Sequence, residues 1–318
     1  MARVPFGAKV WLALLSVYII WGSTYLAIRI AIETLPGLLM AGVRFTLAGL
    51  AMYAIGISRG DRAGDRPTPA QWRAAFVIGA ALAAGGNGFV VLAEERIASG
   101  AAALIVATVP LWVALFEWVR HGARLSKPVI GAMLAGFGGV AILARPGEGS
   151  IDSVGALMVV AATVFWAAGS VYARRADLPR RPVVSTGMEM IGGGLTLLLA
   201  GTLIGEWGEV EVAAFSRSSL LAMGYLTVFG SIVGFSAYVW LLRNVVSSLA
   251  TTYAYVNPFI AVMLGAVIAD EVITGTILLA GAIIVVSVAI IVSRTSRRAR
   301  AAEELPPEAG MGAEEVVV

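Results

Sequence analysis

The sequence predicts an all-α polytopic membrane protein: ten transmembrane helices in two inverted five-helix repeats, with both termini cytoplasmic. Three observations predict it. The 318 residues are 59% hydrophobic and only 14% charged, with a mean hydropathy of +0.87, more apolar surface than a water-soluble domain hides. Apolar runs of about twenty residues, enough to cross a bilayer core, recur along almost the whole chain. Finally, residues 21–50 are echoed 145 positions on. Trp21 falls on Trp166, Arg29 on Arg174, Ala48-Gly49-Leu50 on Gly193-Gly194-Leu195, and Arg44 on Glu189. The short alternating strands of a membrane barrel are not seen in the sequence.

The apolar runs are 10–32, 36–57, 71–93, 97–119, 127–144, 153–173, 182–205, 217–242, 245–269 and 274–293. The first follows Arg3 and Lys9 like a signal peptide. It runs past Trp21 and Tyr25 with no small-residue cleavage site, so it reads as a retained helix. Charge then tests the count. With the N-terminus in the cytoplasm, Arg29 and Arg44 lie within spans and only Arg96, Arg145 and Arg217 fall outside; every other one of the 23 lysines and arginines is inside. That alternation obeys the positive-inside rule. The basic balance therefore reflects orientation and excludes nucleic acid as a partner. Residues 10–144 form the first repeat and 153–293 the second. Residues 294–318, rich in Pro, Ala and Glu, read as a disordered cytoplasmic tail.

The echo continues in spans three and four at an offset of 148. Gly86 maps to Gly234, Ser99 to Ser247, Ala102 to Ala250 and Pro110 to Pro258, while Ala123 maps to Glu271. Five helices is an odd number, so the second copy must enter the membrane upside down. Inverted repeats are typical of secondary transporters, whose substrate sits near the midplane where the halves meet.

Several residue types inside the spans suit such a site. Pro110 and Pro258 each remove a backbone donor, which a bilayer tolerates only beside protein or a wet cavity. Asn257 stands next to Pro258, and Asn87 lies in the weak helical stretch Gly85-Gly86-Asn87-Gly88. Trp21, Trp112 and Trp166 sit away from the interfacial belt that explains Trp11 and Trp118. Tyr25, Tyr238, Tyr253 and Tyr255 bring hydroxyls that need partners when buried. Arg44 and Glu189 are the charges deepest in the hydrocarbon, and each must find a partner there. Inverted symmetry is expected to bring them toward one another as a gate or brace, with Glu189 the candidate proton-coupling acid. Arg29 and Arg174 read as snorkelling anchors near opposite membrane faces.

Other chemistry is excluded or weakened. There is no cysteine and one histidine, His121, at a helix end, so no metal site and no cofactor is expected. No phosphate-binding G-x-x-x-x-G-K-[ST] loop occurs. An intramembrane enzyme would need a catalytic set, yet no span carries an aspartate or histidine. A channel-like facilitator is the remaining alternative. Partners are the lipid bilayer and a small-molecule substrate, for a monomer or homodimer.

The stretches WGSTYLAIRIAIETLPGLLMAGVRFTLAG, ASGAAALIVATVPLWVAL, GSIVGFSAYVWLLRNV and ATTYAYVNPFIAVMLG resemble the EamA family of the drug/metabolite transporter superfamily. The resemblance covers nearly all of residues 10–293. It implies a ten-helix carrier of the bacterial inner membrane that exports amino acids, related metabolites or drugs by alternating access. It also implies a central cavity within helices one, three, four, six, eight and nine. Trp21, Tyr25, Asn87, Trp112, Trp166, Tyr238, Tyr253, Tyr255 and Asn257 would then bind substrate, with Arg44 and Glu189 further out. One departure stands out: where many members read G-E-R-L after the fourth helix, this chain reads Gly122-Ala123-Arg124-Leu125, and only the mirrored Asp270-Glu271-Val272 keeps the acid.

Overall fold

The computed structural model describes residues 8–58, 66–122, 125–144, 151–245, 249 and 252–303. Among these there is no strand, and ten helical rods follow one another. They are α1 (Ala8–Ala31), α2 (Gly37–Ser58), α3 (Pro69–Glu94), α4 (Ser99–Arg120), α5 (Lys127–Ala144), α6 (Ser153–Ala173), α7 (Pro182–Ile204), α8 (Arg217–Asn244), α9 (Tyr253–Ile268) and α10 (Gly275–Glu303). Nine of them contain a stretch long and apolar enough to span a membrane. Leu134, Leu157, Leu203 and Val267 stand exposed on the outer surface, as lipid-facing positions do.

Three elements differ from the sequence expectation. The ninth span, expected over 245–269, is a helix of only 16 residues, or roughly 24 Å; residues 246–248 and 250–251 lie outside the described ones. The tail does not begin at 294: α10 continues to Glu303, because RRARAAE is made of strong helix formers. Residues 304–318 lie outside the description. The break in α4 falls at Ala107–Thr108, just before Pro110, which opens the second half of the helix at a position where a missing N–H costs nothing.

Two helices are wound as π segments, and they sit at equivalent places in the repeats. In α3 the π segment is Ala80–Gly88; in α8 it is Leu226–Val233. Such segments are rare and concentrate at functional sites. The weak stretch around Asn87 is one of them.

The axis of the bundle is the antiparallel pair α2–α7. Gly42, Gly49 and Gly56 line one face of α2 at seven-residue spacing, against Leu198, Ile191 and Val184 of α7. Gly187, Gly194 and Gly201 answer from α7, against Tyr53, Thr46 and Leu39. The two stripes are the same stripe, 145 positions apart. Bare backbone is what allows so close an approach where lipid gives no hydrophobic push. Gly192 and Gly193 do the same toward Phe76 and Gly79 of α3.

One end of the bundle is tied by two backbone-capping carboxylates. After α7, left-handed Gly205 turns Glu206 back onto α2, where its carboxylate accepts from Leu38 N (2.9 Å) and Leu39 N (2.7 Å). After α9, Asp270 at φ 52° turns Glu271 back onto α4, where it accepts from Ser99 N (2.7 Å) and Gly100 N (3.0 Å). Both satisfy donors that a helix start leaves open, and both set negative charge on the positive end of the dipole. Gly122 is also left-handed, at φ 67°, and the residue after it is Ala123. Thus the acid missing from G-A-R-L is the one that, in the mirrored copy, caps a helix.

Candidate functional site

Between the repeats lies a cavity of about 150 Å³, room for roughly five waters at about 30 Å³ each. Its walls come from α1, α3, α4, α6, α8 and α9, as expected, and also from α2. Two tryptophans frame it through one contact made twice. The Trp21 indole of α1 lies on α8, where a Cβ added to Gly234 would meet Nε1 at 2.5 Å, and Nε1 donates to the Gly230 carbonyl at 3.1 Å. The Trp166 indole of α6 lies on α3, where a Cβ added to Gly86 would meet Cε3 at 2.6 Å. Gly86 and Gly234 are equivalent, as are the tryptophans. Each wall therefore joins the first helix of one repeat to the third helix of the other.

Below Trp21 an aromatic cluster of Phe235, Tyr238 and Tyr253 packs at ring separations of 5.1–5.2 Å. Asn257 is buried, and the geometry orients its amide nitrogen toward the carbonyls of Tyr253 and Tyr18, at 3.3 Å each. Pro110 and Pro258 both face the cavity, and so do Val106 and Ala254, the residues four positions earlier. A proline cannot donate to that earlier carbonyl. In α9, where Pro258 is inside the helix, this takes the usual helical donor from the Ala254 carbonyl, whereas Pro110 starts a new helical segment of α4.

Of the expected binding residues, Trp21, Tyr25, Asn87, Trp166, Tyr253 and Asn257 line the cavity, together with Pro110 and Pro258. Trp112, Tyr238 and Tyr255 are not among its lining. Trp112 packs on Phe137 at 4.7 Å and Phe116 at 6.4 Å, because two residues past Pro110 is about 200° around a helix. Tyr238 lies a turn beyond Phe235, behind Trp21. Tyr255 stands in the first turn of α9.

The expected approach of Arg44 to Glu189 does not occur: among the described residues no ion pair joins them. Each is two residues past a stripe glycine, Gly42 and Gly187, so each side chain leaves its helix about 200° from the α2–α7 contact. Arg44, expected further out, is part of the cavity wall. It is 3% exposed, its Nε donates to Ser231 Oγ at 3.2 Å, and its guanidinium lies 4.5 Å from the Phe45 ring centre. Among the described residues its Nη1 has no hydrogen-bond partner. Glu189 is half-buried on α7 and does not line the cavity.

The paired arginines of the repeat hold charged ends rather than lipid. Arg174 and Arg175 pair with buried Glu117 at 3.3 and 3.8 Å, fastening α6 to α4. Arg29 donates to the main-chain carbonyl of Glu94 at the other end.

A model described as the EamA-like transporter family matches residues 8–145 and 153–293. The chain belongs to that family. It is 40% identical over 280 residues to an "uncharacterized inner membrane transporter YedA" of Escherichia coli (strain K12), covering 88% of this chain and 89% of that one. It is 23% identical over 285 residues to an "uncharacterized transporter YvbV" of Bacillus subtilis (strain 168), covering 89% and 91%. A chloroplastic "WAT1-related protein" of Arabidopsis thaliana is 23% identical, over 87% of this chain and 68% of its own. A crystal structure matches with a TM-score of 0.62 at 22% identity, over 93% of this chain and all of the other, which supports the fold. This EamA protein is a multi-pass membrane transporter built from two EamA repeats.

Sequence reasoning missed four polar or aromatic wall residues and one acid. Phe45 and Phe235, Thr24 and Thr163 all line the cavity. Phe235 was findable, since it is the equivalent of Asn87 at offset 148. Glu94 is fully buried at the end of α3, and among the described residues neither carboxylate oxygen has a hydrogen-bond partner. Nothing in Ala93-Glu94-Glu95-Arg96 says which glutamate turns inward.

Proposed function

We propose that this EamA transporter exports amino acids or related small metabolites across the inner membrane by alternating access, with both termini in the cytoplasm. The observation that carries the reading is the doubled tryptophan–glycine contact. It divides the cavity lining into two walls, one holding α1 and α8 and the other α3 and α6, each drawn from both repeats. A rocking of one wall against the other would expose the same cavity at either face, as inverted repeats permit. The lining suits a small solute: apolar and aromatic area, with a few polar handles at Asn87, Asn257, Thr24 and Thr163. The carbonyl of Ala254, which loses its helical donor to Pro258, offers an acceptor for an ammonium group. In proteoliposomes, amino acids of the right size should show saturable uptake and counterflow; linear, non-saturating flux would favour a channel-like facilitator.

We propose further that a proton gradient drives export and that Glu94 is the acid involved. Arg29 and Tyr25 of α1 and Glu271 of the α9–α10 turn face it. On the α6 side, Asp152 is paired with Arg96 instead. Of these neighbours Arg29 reaches only the Glu94 main chain, which leaves the carboxyl as a group that protonation would satisfy. Glu189 is the second acid for this role, and substitution of each to glutamine separates them.

A further inference from the structure

Arg44 is a full positive charge inside the hydrocarbon span, 3% exposed, and among the described residues its Nη1 has no hydrogen-bond partner. A guanidinium is a fork of five donors that cannot lose its charge in a protein. Here one branch is used: Nε goes to Ser231 Oγ, and Nη2 packs against Gly230 of α8, 3.5 Å from where a Cβ would stand. The ring of Phe45 covers one face. The cation lines the cavity, and among the described residues no acidic side chain lines the cavity with it. Glu189 projects from the far side of the α2–α7 contact, and Glu94 does not pair with it. The cavity therefore carries one uncompensated charge in surroundings where an unpaired charge is costly.

We propose that Arg44 is the recognition site for a carboxylate on the transported solute, and that this transporter selects small carboxylic acids, amino acids included, over neutral amides and amines. The inference rests on the reading of this cavity as the transport site. The free Nη1 donates to one carboxylate oxygen, while Trp21, Trp166 and Phe45 supply apolar and aromatic area for the rest of the solute. A buried site of this kind strongly rejects a ligand that lacks its partner group, because the donor is then left unpaired. The competing role is a structural one, in which Arg44 merely braces α2 to α8 through Ser231.

The test titrates the full-length protein in liposomes with matched probes, phenylalanine against phenylalaninamide and benzoate against benzamide, reading intrinsic tryptophan fluorescence. The wild type is expected to bind each acid at least tenfold more tightly than its amide. Arg44→Met is expected to lose that preference while melting no lower than wild type, and Arg44→Lys to recover part of it. Equal binding of acid and amide, no saturable response to either acid, or an intact preference in Arg44→Met would overturn the proposal. If Arg44→Met does not fold, the wild-type preference and the Arg44→Lys result decide. Saturable counterflow of the amides alone would overturn the carboxylate site and leave the transporter reading standing; no saturable counterflow of any solute would remove both.

Discussion

Gly49 of α2 and Gly187 of α7 meet backbone to backbone. A Cβ on Gly49 would lie 2.8 Å from the Gly187 carbonyl oxygen, and one on Gly187 would lie 3.0 Å from that of Gly49. The contact is reciprocal because the two helices are the same helix of two inverted copies. It fixes the crossing on which everything else hangs, including the divergence of Arg44 and Glu189.

That crossing should not accept a side chain. Gly49→Val drives two methyl groups into α7 backbone and is expected to cost about 3 kcal/mol or more, the upper range for overpacking. Gly131→Ala, at an exposed position with nothing within 4 Å, should leave the melting temperature unchanged or slightly higher. Thermal unfolding of both variants in detergent checks the contrast.

The tryptophans should separate by role. Trp21→Ala and Trp166→Ala are expected to raise the KM for transported amino acids at least tenfold. Trp112→Ala should leave KM near wild type and instead lower stability by about 3–5 kcal/mol, the usual cost of emptying a packed aromatic site. Equal KM effects at all three positions would remove the distinction between cavity and packing.

The two capping carboxylates should matter through charge. Glu206→Gln and Glu271→Gln each replace charge-assisted bonds to two backbone donors, and each is expected to cost about 1.5–3 kcal/mol. Installing the absent acid with Ala123→Glu should not lower stability, since it follows a left-handed glycine in the same way. Melting temperatures of the three variants test the device in both directions.

Proton coupling makes its own prediction. Wild-type transport into proteoliposomes should rise with an imposed pH gradient, and Glu94→Gln should make it insensitive to that gradient while substrate counterflow persists. The pattern moving to Glu189→Gln, with Glu94→Gln unaffected, would transfer the role to α7.

Much of this was legible in the chain. Ten spans, two copies and the positions of Trp21, Trp166, Pro110 and Pro258 follow from hydropathy and repeated landmarks, which survive because both copies use them alike. What failed was facing. Trp112 turns away because it stands about 200° around α4 from cavity-facing Pro110, a relation that the apolar composition of the span does not reveal. Tyr238 stands one layer behind Trp21 after a π segment that alters the phase. Equal depth and inverted symmetry predict an Arg44–Glu189 pairing, and neither says which way the side chains face. Counting two residues on from Gly42 and Gly187 already turns both charges off the shared face, once the glycine stripes are known to be the contact. Glu94 had no signal at all, since its burial depends on where α1 and the α9–α10 turn pack.

The central claim is that one cavity, bounded by two cross-repeat walls, opens to either side of the membrane. The natural absence of cysteine makes a direct measurement available. A single Thr24→Cys in the cavity wall would be probed with a membrane-impermeant thiol reagent added to one face of oriented vesicles, then to the other. The account predicts labelling from both faces, slowed from both by a bound substrate. Labelling from one face only, whatever the substrate or gradient, would contradict it.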